Sequence, residues 1–216
     1  MTDIDLNLYV DVMCAHSYLA YPQLRAALGD LRAAGCSITL HVQPLLIVPD
    51  APINIHEPLR EVHRRIFGPD SLSTEHAMTR RAAAAGVPIH YERAQFTSTI
   101  PALAAILQAQ DRAPKLGEEL LAALFHAYFV DGAVISDLDW LTAFCSGHGV
   151  SGLEFTTDQL DRVREASQNA RRHGINSAPT LRLPNGDLIV GGRQRQEYSA
   201  LIENGVIGTS VPEARG

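Results

Sequence analysis

The sequence predicts an α/β protein, with a βαβ unit and a later αββα unit separated by a block of helices. Three observations carry this. Residues 4–12 alternate apolar Ile4, Leu6, Leu8, Val10 and Val12 with Asp5, Asn7, Tyr9 and Asp11, the period-two pattern of a half-buried strand. Ile38, Leu40 and Val42 repeat that alternation beyond a helical stretch. Near the other end Asn185-Gly186 separates two short apolar runs, a strong hairpin signal.

The first strand leads to a helix from about Ser17 to Ala34, with Leu19, Leu24, Ala27, Leu28 and Leu31 on one side and Gly35 ending it. Pro22 lies within it and is expected to kink it, because proline removes a backbone donor. Strand, crossover helix and strand make the first two strands parallel. From Pro49 to about Thr157 only helical patterns are expected. Asn54 or Pro58 starts one that ends near Gly68, and Ser73 or Thr74 caps another running to Gly86. Ser98-Thr99 with Pro101 reads as the cap and first turn of a third. Leu120, Leu121, Leu124, Phe125, Tyr128 and Phe129 recur at helical spacing in a fourth, and Ser136 caps a fifth containing Leu138, Leu141 and Phe144. These apolar stripes read as core. Thr157 or Asp158 opens a helix to His173-Gly174, followed by strands Thr180–Leu183 and Leu188–Val190 and a last helix over about Gln194–Glu203. Without the middle block the order is βαβ, α, hairpin, α, which is that of thioredoxin. The expected organisation is a discontinuous thioredoxin-like domain, residues 1–50 and 158–216, carrying an all-helical insertion domain over 51–157.

Hydrophobic residues make up 46% of the 216 and charged residues 19%, so a sizeable core can form. A net charge of -6 and the wide separation of Arg64-Arg65, Arg80-Arg81 and Arg171-Arg172 argue against a nucleic-acid partner, which needs a concentrated basic surface. Those pairs read as solvated helix faces. The acidic start Met1-Thr2-Asp3-Ile4-Asp5 has no signal-peptide pattern, and no apolar run reaches membrane-span length. A cytoplasmic protein with no membrane partner is expected. Its three cysteines make no disulfide framework in a reducing compartment. His56, His63 and His76 lack close ligand spacing, and no Cys-x-x-Cys pair is present, so no metal is expected. No Gly-rich phosphate loop or nucleophile elbow appears.

Chemistry concentrates at Cys14-Ala15-His16-Ser17. Cys14 falls where the first strand ends and the first helix begins. Free N–H groups and the dipole there favour an anion, so a depressed thiol pKa and a nucleophilic Cys14 are expected. His16 adds positive charge or a hydrogen bond. The competing reading is a small buried cysteine at a strand end. Ala178-Pro179, after Ser177, stands at the entrance to the third strand, where a proline cannot donate to the sheet. In a thioredoxin-type site it would be a cis peptide beside the thiol, although trans is the commoner state of such a bond. Cys36 and Cys145 read as packed thiols, and Trp140 as a core residue of the insertion.

These residues resemble the DsbA-like superfamily, most closely its FrnE-type branch, over nearly the whole chain. Asp11-Val12-Met13-Cys14-Ala15-His16-Ser17-Tyr18 stands where that branch has its Cys-x-x-Cys motif. Gln43-Pro44-Leu45 to Phe67-Gly68, Ala122 to Gly132, and Gly174-Ile175-Asn176-Ser177-Ala178-Pro179 followed by Val190-Gly191-Gly192 are similar to it as well. The resemblance implies a thioredoxin fold with a helical insertion and a cis-proline loop at Pro179 facing Cys14. Ser17 replaces the second cysteine and cannot release a mixed disulfide, which requires attack by a sulfur. The implied activity is that of a monothiol thiol–disulfide oxidoreductase, with Cys14 as nucleophile, His16 and Ser17 supporting its thiolate, and an external thiol such as glutathione resolving it.

Ser17-Tyr18-Leu19-Ala20 also resembles kappa-class glutathione transferases and 2-hydroxychromene-2-carboxylate isomerases, whose reacting serine aligns with Cys14. In these relatives Gly191-Gly192-Arg193 lies where a glutathione carboxylate is gathered, which implicates Ala178, Gly192 and Arg193 in binding. A glutathione-dependent transferase or isomerase acting on a small aromatic compound is therefore the second reading, and a degenerate binding module the third. No cofactor is expected to be permanently bound, glutathione being at most a co-substrate. A homodimer is left open.

Overall fold

In the computed structural model of the chain, residues 3–53 and 56–207 are described. The alternation at the start becomes β1 (Ile4–Val10), with Leu6, Leu8 and Val10 turned into the core. It runs parallel to β2 (Ile38–Pro44), in register from Ile4 opposite Ile38 to Val10 opposite Pro44. The connecting helix α1 (Ala15–Ala33) starts earlier than its apolar spacing suggests, directly after Cys14, and continues through Pro22 as one helix.

The middle of the chain is not purely helical. A two-residue antiparallel ribbon, β3 (Glu57–Pro58) with β4 (Gln95–Phe96), closes around α2 (Leu59–Phe67) and α3 (Ser71–Ala84). Strands that short carry no periodicity. Pro58 is the N-cap of α2, and the other candidate start, Asn54, lies outside the described residues. Then follow α4 (Ile100–Arg112), α5 (Pro114–His126) with a π-helical turn over Ala127–Asp131, and α6 (Leu138–Gly147). Gly132 ends the π-helical turn at φ 74°, where a Cβ would stand 2.7 Å from the Arg93 carbonyl oxygen.

Several caps differ from their sequence assignments because tertiary partners take the side chains. Ser136 does not cap α6: its hydroxyl donates to the Ile53 carbonyl and meets Thr97, while Asp137 accepts from the N–H groups of Asp139 and Trp140. At α4 the Ser98 hydroxyl accepts from the Ile100 N–H, and Thr99, at the N-cap, makes no side-chain cap. Helix α3 starts at Ser71, ahead of Ser73 and Thr74.

The chain returns through α7 (Thr157–Arg172) to β5 (Thr180–Arg182), β6 (Leu188–Val190) and α8 (Arg195–Ile207). The four-stranded sheet has the order β2-β1-β5-β6, with β5 antiparallel to both neighbours. Helices α4, α5 and α7 pack on β2, and α8 packs on α1. The free edge of β2 is closed by Gln110 of α4, whose side chain accepts from the Val42 N–H at 2.6 Å and donates to the Val42 carbonyl at 3.4 Å. That satisfies backbone groups which would otherwise be orphaned. Arg32 of α1 grips the buried Glu118 of α5 through both terminal nitrogens, and the Tyr21 hydroxyl donates to the Glu118 carbonyl at 2.7 Å. One hydrophobic cluster runs through sheet and helices alike. Trp140 is only half-buried against it, stacked on Phe144, and no helix among the described residues is long and apolar enough to cross a membrane.

Candidate active site

Cys14 is the N-cap of α1 in extended conformation, where the chain turns out of β1. Its N–H donates to the Asp11 carbonyl at 3.0 Å, and its own carbonyl accepts the first helical bond, from Tyr18 at 3.0 Å. The thiol donates to the Ala178 carbonyl at 3.4 Å, across the fold from a sequence 164 residues away. The Ala178–Pro179 peptide is cis, and the Pro179 carbonyl accepts from the Gly191 N–H at 2.8 Å. Cys14, Ala178 and Pro179 thus meet.

The expected depressed thiol pKa is not what this environment produces. Cys14 is 7% exposed, and burial pushes its pKa above the ordinary thiol value. The Ser17 hydroxyl and the N–H groups of Ser17 and His16 pull it down, while Asp11 pushes it further up. Loss of hydration outweighs the helix terminus here. Nor is His16 a source of positive charge. Burial, and then the nearby Arg81 charge, lower its pKa, which leaves a neutral imidazole near pH 7.

Ser17 is 1% exposed, and its hydroxyl has no hydrogen-bond partner, yet it lies near enough to the Cys14 sulfur to lower the thiol pKa. The two facts fit one picture: the thiol spends its proton on Ala178, and the Ser17 hydroxyl gains a strong acceptor only when the sulfur is ionised.

Asp11 enters the sequence reading as a polar position of the first alternation and as the head of the Cys14 motif, with no chemical role assigned to it. It is fully buried, because the chain leaves the sheet after Val10 and the alternation stops there. Its carboxylate accepts from the N–H groups of Met13 at 3.3 Å and Ile47 at 2.7 Å, with Thr99 beside it, and burial pushes its pKa up. Asp11 therefore ties the Cys14 turn to the segment after β2. Tyr18 stacks on Phe129 of the π-helical turn, centroids 5.2 Å apart, and Phe129 meets Tyr91 edge-on at 6.2 Å.

A cleft of about 750 Å³ lies between α1, α3, the loop before α8 and the first turn of α8, lined by His16, two residues after Cys14, and by Gln23, Arg81, Gly192, Arg193 and Glu197 among others. Gly192 sits so close to α1 that a Cβ would stand 3.0 Å from the Ala20 Cβ. Arg193 Nη1 donates to the Val190 and Gly192 carbonyls, and its Nε pairs with Glu197 at 3.0 Å. Arg81, read in the sequence as part of a solvated face, is exposed but faces this cleft. No single-residue signal marks it, because its place depends on how α3 packs. Cys145 is fully buried in α6, as its amphipathic setting predicts, and Cys36 is half-buried.

The family described as DSBA-like thioredoxin domain matches residues 5–202. The chain belongs to the DSBA-like thioredoxin domain family. No curated protein sequence matches significantly. Among solved structures, the DSBA-like fold is shared with a probable DsbA oxidoreductase from Streptomyces coelicolor at TM-score 0.82 and 17% identity, covering 99% of this chain and 94% of that one. It is shared with the cytosolic disulfide reductase DsbM from Pseudomonas aeruginosa at TM-score 0.63 and 20% identity, over 94% and 98% of the two chains, a protein also solved with GSH. A 2-hydroxychromene-2-carboxylate isomerase aligns at TM-score 0.59 and 16% identity, over 95% of each chain. At these identities the likenesses speak for the fold.

Proposed function

We propose that this DSBA-like protein is a glutathione-coupled monothiol oxidoreductase of the FrnE type, acting through Cys14 in the cytoplasm. The observation that carries the reading is the Cys14 sulfur held against the Ala178 carbonyl, two residues before His16, which lines a cleft that also contains Arg81 and Arg193. Two guanidinium groups suit the carboxylates of a small peptide thiol. Arg193 binds such a group by exchanging Glu197, and Arg81 binds one directly.

In the reaction Cys14, as thiolate, attacks the glutathione sulfur of a mixed disulfide RS–SG. The S–S bond breaks, RS⁻ leaves and takes up a proton, and Cys14–S–SG forms. A second glutathione thiolate attacks that bond, giving GSSG and returning Cys14. The sum is RS–SG + GSH → RSH + GSSG. In the second step Cys14 is the leaving group, and the N–H groups of His16 and Ser17 with the Ser17 hydroxyl receive its charge. A buried thiol with a raised pKa makes the first step slow at neutral pH. That cost falls when a bound disulfide is already in line with the sulfur. The cytosolic location and GSH complex of the DsbM neighbour support the choice of compartment and thiol.

The raised Cys14 pKa also supports a second reading, in which Cys14 stays protonated and donates a hydrogen bond to glutathione's own thiolate, as a transferase or isomerase of small aromatic compounds requires. Intact-mass analysis after exposure to oxidised glutathione at pH 8.5 separates the two. The oxidoreductase reading predicts one glutathione adduct, absent from Cys14→Ser. Saturable GSH binding with no adduct supports the second reading and ends the first.

A further inference from the structure

A second cavity, of about 270 Å³, lies within the helical segment between α2, α3 and the loop before β4, lined by His63, Phe67, Ser71, Thr74, Glu75 and Tyr91. Half of its lining residues are aromatic: the His63 ring sits 5.7 Å from Phe67 and 5.8 Å from Tyr91, tilted against both. The polar groups are few and unevenly satisfied. Glu75 is 3% exposed and fully engaged, accepting from Arg60 Nε at 3.0 Å and from His63 Nδ1 at 2.9 Å. Its charge is matched within the wall, so the cavity favours a ligand without net charge. The Ser71 hydroxyl is buried and has no partner among the described residues, and an unpaired buried hydroxyl carries a desolvation cost that a ligand can remove. With Nδ1 donating to Glu75, the His63 ring has Nε2 left to bond a ligand hydroxyl. Phe67, 68% exposed, stands at this cavity as a large apolar side chain in water.

We propose that this cavity binds a small neutral aromatic molecule bearing a hydroxyl group, its ring between Phe67 and Tyr91 and its hydroxyl bonded to His63 and Ser71. An apolar cavity of about 150 Å³ admits a benzene ring, so 270 Å³ accommodates a fused pair of rings. No residue lines both this cavity and the cleft of His16 and Arg193, and binding forms no bond to Cys14, although Tyr91 lies near enough to that sulfur for their charges to interact.

Titration calorimetry of the full chain with 1-naphthol tests this. Saturable one-to-one binding is expected, weakened roughly fivefold in Ser71→Ala by loss of one buried hydrogen bond and at least as much in Phe67→Ala. 1-Naphthalenesulfonate, the same ring with a full charge, should bind at least about tenfold more weakly, because its charge finds no counter-charge in the wall. Cys14→Ser should bind 1-naphthol as the wild type does, so failure of the oxidoreductase reading leaves this site standing. No saturable binding, binding unchanged by both cavity substitutions, or equal affinity for the sulfonate overturns it.

Discussion

Cys14 and Cys145 start from the same physics and end differently. Both are buried thiols whose pKa burial raises, that of Cys145 to about 12. Nothing opposes burial at Cys145, inside α6. At Cys14 a hydroxyl and two backbone N–H groups pull the other way, and His16, two residues on, lines an open cleft. The difference teaches that, under the proposed function, a reactive cysteine need not rest as a thiolate. What distinguishes it is a set of donors already aimed at the sulfur, together with access for a partner that uses them.

Access should produce the largest contrast. In a Cys36→Ser background, iodoacetamide at pH 8.5 should label Cys14 and leave Cys145 untouched, at a rate ratio above about 10³, since reaching Cys145 requires opening the fold. Comparable labelling, read by peptide mapping, would break the comparison.

The next effect lies in the pH profile. Cys14 alkylation should reach half its maximal rate above the ~8.5 of an ordinary thiol, and a midpoint near 7 would refute the burial argument. A pKa raised on folding means stability that is present below the ordinary thiol value and lost as pH rises through the folded one. Denaturation titrations should therefore show less alkaline loss in Cys14→Ser than in wild type.

Ser17→Ala sharpens the role of the donors. Alkylation at pH 8 should slow by about three- to tenfold, the value of one hydrogen bond to a charged sulfur. Stability should not fall and should rise by about 1 kcal/mol, because the substitution removes a buried hydroxyl that has no partner. A large stability loss with unchanged alkylation would make Ser17 a packing residue only.

Asp11→Asn should give the smallest change, roughly two- to threefold faster alkylation of Cys14 through loss of a nearby negative charge. Its clearer signature is in stability. The raised Asp11 pKa means that the wild type is favoured below about pH 4 and loses that contribution as pH climbs through the folded value. The asparagine variant should lack this slope.

Much of this was legible in the chain itself. The alternation of β2, the Asn185-Gly186 hairpin and the ends of α7 follow from local periodicity and turn chemistry and appear where expected, while β1 stops at Val10, two residues short of its alternation. The position of Cys14 at the strand-to-helix junction, and of Ala178-Pro179 before β5, was readable from the same boundaries. The β3–β4 ribbon was not, because two residues make no period. The caps at Ser136 and Thr99 were misplaced because their side chains serve partners distant in sequence.

By itself, then, the sequence determined that a lone thiol stands at a helix N-terminus with serine in the second position, since both depend on neighbours along the chain. Only the tertiary structure decided how acidic that thiol is, because desolvation is set by everything packed around the sulfur and outweighed the local dipole. It alone also buried Asp11 under the loop, turned Arg81 toward the cleft and left Ser71 unpaired in a second cavity.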